Sequence, residues 1–522
     1  MWVRAILLAA VLVLAPFSAR AENVVRWVTP EPSSTWDPHG SDFLYSLIGY
    51  RQVYESLTRT GQDTGLEPAL ATSWKLVNPT SWRFELRQGV RFHDGSLLTA
   101  EDVAFSINRA LGAGSLIKGR VITLEGATVV DPSTIEIRSK RPDPVLPMRL
   151  RILSVMSRVW ADAHGVTVAT SHDKDRGTYA RDHAMGTGPF RLVEHERGGR
   201  TVLERNPDWW GVERDPHEIG RIIWTAIPND HERTAILLRG EADFVQQVPP
   251  DTVEKVSSAP GLRLAETPGL RVLWLGFNQG LDELPGSDVR GRNPFQDRRV
   301  REAVYRAVDV SELIRDAVGG LAVPAGMIIA PGVNGWSEEL DRRPPQDLEG
   351  AKHLLAEAGY PDGFALRLSC MTSWETPCRN VAGQLGRVGL RVEADVRSDD
   401  AYGAFLDGLN AGFYVDSFQA ATTFDSAEVL RPFYHTGGWV EGVGYANPEL
   451  DAKIEAIEEE LSTYVRDALA ETLWRELLAD VVVVPLYRPT LIWAMREGID
   501  VPINVLNYPW FWLARVTSPA IR

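Results

Sequence analysis

Cysteine is scarce in this chain of 522 residues, which contains only Cys370 and Cys378. Two cysteines without nearby histidines cannot supply the four ligands of a tetrahedral zinc site, so the sequence predicts no metal centre. Both cysteines fall in the short stretch CMTSWETPC. In an oxidising compartment such a pair favours a small disulfide loop, with free thiols as the alternative because geometry can forbid the bond.

Long hydrophobic runs are also missing, apart from AILLAAVLVLAPF at residues 5–17. That run is too short to span a bilayer comfortably, follows Arg4 and precedes the small residues of ARA (19–21). The pattern predicts a secretory signal over 1–21 that is removed, so that the mature chain begins at Glu22. The junction has no cysteine for a lipid anchor. We therefore expect a periplasmic protein.

Positive charge is in deficit, because 55 lysines and arginines face 70 aspartates and glutamates, for a formal net charge of −15. Such a chain lacks the basic surface of a nucleic-acid binder and is repelled by anionic membranes. The later apolar run VVVVPLY (481–487) is only strand-sized. The composition predicts a soluble monomer that neither binds nucleic acid nor inserts directly into a membrane.

Catalytic motifs are absent as well. The chain has no G-x-S-x-G elbow, no H-E-x-x-H zinc motif and no phosphate-binding G-x-x-x-x-G-K-[ST] loop. GTGPF (186–190) lacks the third glycine that dinucleotide binding requires. We therefore expect no enzyme activity, no catalytic residues and no cofactor. With 70 carboxylates, a glycosidase-like pair stays open, so a periplasmic hydrolase is the alternative outside binding proteins.

Strand-like and helix-like patterns alternate along the chain. TVLERN (201–206) and FALRLSC (364–370) have the period of strands, and 300–318 and 448–480 have the period of amphipathic helices. This alternation predicts an α/β protein. Within GVRFHDGSLLTAEDV (89–103), turn signals precede a capping box, which favours an architectural role and a solvated histidine–aspartate pair at the turn.

Several segments resemble one family closely, the dipeptide, oligopeptide and nickel-type solute-binding proteins of ABC transporters (solute-binding protein family 5). The matching segments occur in the family's order over essentially the whole mature chain: YESLTR (54–59), LEPALATSW (66–74), FELRQGVRFHDGSLLTAEDVAFS (84–106), GTGPFRLVEHERGGRTVLERNPDWWG (186–211), FQDRRVREAVYRAVDVSELI (295–314), DLEGAKHLLAEAGYPDGFALRL (347–368) and LADVVVVPLYRP (478–489).

The resemblance implies a class II periplasmic binding protein fold, with two lobes joined by a hinge. The first lobe would combine 22–55, 187–265 and 484–522, with an extra domain inserted at 56–186, and the second lobe would cover 266–483. Hinge strands would lie near 263–275 and 481–490. A ligand would bind between the lobes, and an inner-membrane ABC permease would be the partner that recognises the closed form.

The resemblance also points to the second-lobe segment FQAATTFDSAEVLRPFY (418–434). In peptide-binding members, the corresponding W-x-A-D-Y-x-D-P motif contains an aspartate that pairs with the peptide's ammonium. Anchoring the match on Asp425 places Gln419 at the usual tryptophan and Thr422 at that aspartate, with Phe424 between. A threonine offers no charge, which disfavours a free peptide amine. If the register is shifted, Asp425 or Asp416 would pair with the ammonium instead.

Aromatic residues supply further candidates, because the chain has 17 tryptophans and flat rings act as platforms for ligands. Trp36, in a loop expected to face the cleft, and Trp374, between the two cysteines, are the favoured ligand contacts, with core packing as the alternative. Tyr487 and Tyr508 are weaker candidates. The sequence thus predicts a receptor for a polar mid-sized ligand: a modified peptide, an opine-like conjugate or an oligosaccharide. The alternatives are an ordinary di- or oligopeptide binder, a hydrolase or a periplasmic chaperone.

Overall fold

A computed structural model describes residues 23–62, 64–407, 411–438 and 444–517. The predicted signal segment 1–21 lies outside these residues. The strands are β1 (Val24–Thr29), β2 (Thr58–Thr60), β3 (Leu66–Pro68), β4 (Ala71–Asn78), β5 (Ser81–Leu86), β6 (Leu124–Asp131), β7 (Thr134–Ser139), β8 (Phe190–His195), β9 (Arg200–Arg205), β10 (Arg221–Ala226), β11 (Phe244–Gln246), β12 (Leu262–Pro268), β13 (Val272–Phe277), β14 (Ala322–Pro324), β15 (Ala365–Met371), β16 (Arg391–Arg397), β17 (Phe413–Phe418), β18 (Val483–Arg496), β19 (Ile499–Asp500) and β20 (Arg515–Val516).

Helices lie between these strands, as an α/β fold requires. They are α1 (Leu44–Val53), α2 (Ala100–Ala110), α3 (Leu146–Arg149), α4 (Arg158–Ala163), α5 (Tyr179–Asp182), α6 (Asp230–Leu238), α7 (Val253–Ser257), α8 (Arg298–Ala307), α9 (Val310–Ala317), α10 (Leu348–Glu357), α11 (Glu375–Gly386), α12 (Asp399–Asp407), α13 (Ala427–Tyr434), α14 (Pro448–Glu459) and α15 (Thr463–Ala479).

The largest sheet has twelve strands and two halves. In one half, which we call lobe 1, the strand order is β11-β1-β10-β9-β8, with β1 parallel to β10 and β11. In the other, lobe 2, the order is β16-β15-β17-β13, with β15 parallel to both neighbours. The strand VLWLGF of β13 is buried along its full length, as expected for a central strand covered by helices on both faces.

Strand β18 joins the two halves, because its 14 residues pair with strands of both lobes. Its first half pairs with β13 and β14 of lobe 2. Its second half pairs with β11 and β12, from Pro268 opposite Thr490 to Leu262 opposite Arg496. The chain thus passes between the lobes along the neighbouring strands β12 and β18, in the regions where the hinge is expected.

A separate four-stranded sheet, in the order β4-β5-β7-β6, forms the insert between α1 and β8. Helix α2 packs on it and begins at Thr99 with the predicted capping box: the Thr99 hydroxyl accepts from Asp102 N–H, and the Asp102 carboxylate accepts from Thr99 N–H. The predicted solvated state of His93 is wrong. His93 is half-buried with its Nε2 3.1 Å from the Gly188 carbonyl, and burial lowers its pKa to about 4.

Both long helical segments expected from periodicity are divided in the structure. The segment 300–318 breaks between α8 and α9, where the Asp309 carboxylate accepts from the N–H groups of Ser311 and Glu312 and starts a new helix. The segment 448–480 breaks between α14 and α15, where Ser462 caps the second helix. Caps inside a periodic stretch start new helices without interrupting the apolar pattern. In the part of the chain that the structure describes, no helix is long and apolar enough to span a membrane.

Candidate functional site

A groove of about 510 Å³ lies where the insert meets lobe 2. Its insert wall comes from the segment before β6 and the segment around α3, and its lobe 2 wall from the loop after β17 and from α13. The charged residues that line it are arginines and carboxylates in equal number: Arg120, Arg141, Arg149, Arg431, Arg466, Asp42, Asp143, Asp425, Glu428 and Glu458. A groove between lobes with convergent polar groups is the expected place for a ligand in such a fold.

An ion-pair network crosses this groove. Glu458 of lobe 2 accepts from Arg141 of the insert at 2.5 Å and from Arg431 of its own lobe at 2.5 and 2.6 Å. The Glu458 side chain is only 10% exposed, so this pairing is screened less than a surface salt bridge. The shared carboxylate therefore links the insert to lobe 2 across the groove.

Within the loop of residues 419–425, the N–H groups of Thr422 and Thr423 are satisfied by a side chain of lobe 2. Glu428, in the first turn of α13, accepts from the N–H groups of Thr422 and Thr423 at 2.8 Å each. Phe424 then adopts a left-handed conformation with φ of 51°, which turns the chain into α13. Such a conformation is uncommon for a bulky residue and is held here by the surrounding contacts.

Two backbone carbonyls of the same loop are satisfied by an arginine from the insert. Arg151 donates through Nε to the Thr422 carbonyl at 3.1 Å and through a terminal nitrogen to the Ala421 carbonyl. Its guanidinium also contacts the Thr60 hydroxyl and lies 4.6 Å from the Phe424 ring centroid. Arg151 is 1% exposed, and burial, reinforced by the nearby Arg51, lowers its pKa to about 9. A buried cation thus occupies two carbonyls of this loop, those of Ala421 and Thr422.

Thr422, Asp425 and Asp416 were considered as partners for a peptide ammonium. Each is unsuited to pair with it, for a different reason. Thr422 is 5% exposed, and its hydroxyl accepts from Arg120 at 3.3 Å. Asp425 forms a buried ion pair with Arg466 at 2.5 Å. Asp416 is half-buried, and burial raises its pKa to about 7, so at neutral pH it is only partly ionised. None of these positions offers a free, fully charged carboxylate.

The predicted aromatic contacts lie away from this groove. Trp36 is completely buried in the lobe 1 core, edge-on to Trp224 at 6.3 Å. Trp374 is half-buried at the start of α11, edge-on to Tyr402 at 6.5 Å, and packs against the lobe 2 core. Tyr487 is 3% exposed within β18. All three side chains pack against other parts of the protein in this structure, and their contact with a ligand stays a prediction.

The remaining candidates are distributed between the lobes. Gln419 is half-buried at the start of the loop. Tyr508 is buried in lobe 1, where the Arg51 guanidinium lies 4.9 Å from its ring centroid, and it lines a second, smaller cavity.

Cys370 and Cys378 are joined by a disulfide that ties the end of β15 to the first turn of α11. The described residues contain no cluster of histidine, cysteine, aspartate or glutamate suited to a metal ion.

Sequence reasoning missed the arginines of this region. Arg151 lies between Leu150 and Ile152, and an arginine inside an apolar run is the signal that would have identified a buried cation. Arg51 gave a similar signal in the helical stretch YRQVY. Their partners could not be read from the sequence because they lie far away along the chain. Tyr508, for example, is 457 positions from Arg51.

Comparisons with known proteins agree with this architecture. Residues 65–441 match the model of the bacterial extracellular solute-binding proteins, family 5 Middle. The chain is 23% identical over 498 residues to the glutathione-binding protein GsiB of Salmonella typhi, covering 91% of each chain.

Solved structures of similar fold cover nearly the whole chain. CtaP of Listeria monocytogenes, an ABC transporter substrate-binding protein, superimposes with a TM-score of 0.83 at 18% identity, covering 96% of this chain and 100% of that one. AgaA from A. tumefacien R10, in complex with agropinic acid, gives a TM-score of 0.72 at 19% identity, covering 95% and 99%. The chain therefore belongs to the bacterial extracellular solute-binding proteins, family 5, and is a substrate-binding protein of an ABC importer.

Proposed function

We propose that the mature chain is a periplasmic receptor that captures a polar, mid-sized ligand between its lobes and delivers it to an inner-membrane permease. The ligand class is a modified peptide, an opine-like conjugate or an oligosaccharide, and recognition does not require a free N-terminal amine. Similar proteins carry names with comparable ligands, since GsiB is named for glutathione and AgaA was solved with agropinic acid. The competing proposal within the family is an ordinary peptide binder, as DppA of Helicobacter pylori was solved with the peptide STSA.

The observation that carries this proposal is the position of Arg151. Its guanidinium occupies the Ala421 and Thr422 carbonyls, beside the position where peptide-binding relatives are expected to place an aspartate for the ammonium. Arg120 adds a second cation at 3.3 Å from the Thr422 hydroxyl. A buried ammonium at this place would face two like charges, and the carboxylate beside it, Glu428, is already engaged by the N–H groups of Thr422 and Thr423. Leaving a buried charge without its partner costs about 3–5 kcal/mol, which is two to three decades of affinity or more.

Capture would follow hinge closure between the lobes. Strands β12 and β18 are the neighbouring connections across which lobe 2 can rotate, while the insert and lobe 2 approach each other over the groove. The Glu458 network and the Arg151 contacts are the polar interactions that would form on closure. In this proposal the protein binds and releases its ligand unchanged.

Calorimetry against free-amine tripeptides, the same peptides N-acetylated, and glutathione tests the proposal. The unaltered protein should bind free-amine tripeptides at least tenfold more weakly than N-acetylated ones. A Thr422→Asp variant should gain only part of the missing affinity for free amines, because Arg120 is positioned to pair with the new carboxylate. Combining it with Arg120→Gln should free that carboxylate and raise free-amine affinity at least tenfold further. Thr72→Asp, at an exposed position of the insert, is the control for the added charge.

Two results would count against the proposal. Tight binding of unmodified tripeptides by the unaltered protein would establish an ordinary peptide binder. A change in the mass of any bound compound after incubation would support the hydrolase alternative. Native mass spectrometry of the purified protein gives an independent reading, since a co-purified small molecule is expected.

A further inference from the structure

A second cavity, of about 60 Å³, lies behind the interlobe loop and is enclosed by α1, the segment around Arg151 and the C-terminal segment 504–512. Arg151 belongs both to this cavity and to the contact between the lobes, because it lines the cavity and also donates to the Thr422 carbonyl of lobe 2. A buried water needs about 10–15 Å³ of such volume, so the cavity has room for a group of a few heavy atoms.

The wall of this cavity carries buried polar atoms with no hydrogen-bond partner among the described residues. They are Arg51 Nε, Asn504 Nδ2, Trp512 Nε1 and the Tyr50 hydroxyl. Tyr50, Asn504 and Trp512 are 1%, 4% and 8% exposed. The three nitrogens can only donate, and the hydroxyl can donate as well. Because buried donors without acceptors are costly, a set carried by residues that line one cavity indicates a ligand rich in acceptors.

The charges around the cavity favour the same ligand. Arg51 lies against the Tyr508 ring, and Arg151 contacts two carbonyls, a hydroxyl and the Phe424 ring. Among the described residues, neither guanidinium has a carboxylate in direct contact. Arg59, which also lines the cavity, is paired with Glu67 at 3.0 Å.

Glu55, the one carboxylate that the described residues contribute to the wall, is already engaged in hydrogen bonds. It accepts from the indoles of Trp209 and Trp210 and from the Thr187 hydroxyl, and burial raises its pKa. The guanidiniums of Arg51 and Arg151 therefore line the cavity without an ion-pair partner among the described residues, although the charge of Glu428 still acts on Arg151 from lobe 2.

We propose that this cavity is the subsite for an oxyanion of the ligand, a carboxylate held by Arg51 and Arg151 with Asn504 and Trp512 as further donors. The inference deepens the proposed function and rests on it. It specifies an acidic ligand whose anionic end enters lobe 1 behind the loop 419–425. A carboxylate offers only acceptors, which matches a wall of donors, and its charge compensates the buried guanidiniums.

The probes are N-acetyl-trialanine as the free acid and as the C-terminal amide, titrated calorimetrically at pH 7.5. The acid should bind at least 30-fold more tightly than the amide. Arg51→Gln should remove most of this preference by weakening the acid alone, and Arg51→Lys should restore part of it. Arg191→Gln is the matched control, because Arg191 belongs to the same lobe but pairs with Asp208 at the surface.

Indole fluorescence distinguishes the type of oxyanion, because Trp512 lines the cavity. Acetate at millimolar concentration should change the emission of the unaltered protein and not that of Arg51→Gln. A response to inorganic phosphate at far lower concentration than to acetate would overturn the assignment to a carboxylate. Equal affinity for acid and amide, an unchanged preference in Arg51→Gln, or no binding of the acid would overturn the subsite. A different result would overturn the proposed function itself: no binding of any tripeptide, N-acetylated tripeptide or glutathione, together with no co-purified molecule.

Discussion

Replacing Phe424 by alanine is expected to shift the protein from closed to open lobes. Phe424 belongs to the lobe 2 loop, yet it packs with the lobe 1 core, is 5% exposed and lies beneath the Arg151 guanidinium. It is therefore an apolar contact that must separate when the lobes part. The alanine variant keeps the backbone of the loop and removes the ring.

The size of the effect follows from the buried ring. Phenylalanine-to-alanine changes in cores cost about 3–5 kcal/mol, and the interlobe share of this contact amounts to about 2–4 kcal/mol. At 1.4 kcal/mol per decade, the closed-to-open ratio should fall by roughly 30- to 1000-fold. Small-angle X-ray scattering should then give a larger radius of gyration for Phe424→Ala than for the unaltered protein.

Phe433→Ala is the matched control. Phe433 is also 5% exposed, but its ring packs within lobe 2, edge-on to Trp274 at 5.2 Å. This variant should lower the free energy of unfolding and leave the scattering curve unchanged. Identical scattering from Phe424→Ala and the unaltered protein would refute the interlobe role of Phe424.

Two further predictions concern stability. Burial lowers the pKa of His39 to about 4, so the protein favours its neutral form; the free energy of unfolding should fall by about 2–3 kcal/mol between pH 6.5 and 4.5. Urea titrations should show a smaller fall in His39→Gln, and an identical pH dependence would contradict this role. Cys370 and Cys378 should resist alkylation until reduced, and replacing both by serine should cost about 2–3 kcal/mol. Free alkylation of periplasmic material would contradict the disulfide.

Local features of the fold could be predicted from the sequence because their physics is local. The capping box at Thr99 and the strands β9 and β15 depend on residues that are neighbours in the chain. The division of the long helical segments was missed because Asp309 and Ser462 act as caps without interrupting the apolar period. Periodicity reports which face is buried, and does not report where a helix restarts.

The candidate site could be predicted only in outline. The loop 419–425 was singled out by a short motif and contributes Thr422, Thr423 and Asp425 to the groove, whereas Trp36 was assigned to the cleft because the resemblance places its loop there. Its burial is decided by packing against Trp224, which is far away in the sequence. Arg151 was missed for the same reason, since its partners Thr60 and Thr422 are 91 and 271 positions distant. Because these side chains come from three distant parts of the chain, their arrangement has no characteristic spacing in the sequence.

The hydrogen bonds of the loop 419–425 explain why we expect the ligand not to present a positively charged amine there. Glu428 accepts from two N–H groups of the loop, and Arg151 donates to two of its carbonyls, so the protein itself supplies an anion and a cation at the loop. A ligand ammonium would have to displace Arg151 and leave a buried guanidinium uncompensated. In the proposed subsite, a ligand carboxylate would instead pair with Arg151 and Arg51 from the cavity that both residues line, without replacing the contacts of Arg151 to the loop. A basic ligand would have to displace the buried cation of Arg151, whereas an acidic ligand would not. This cost therefore favours an acidic ligand.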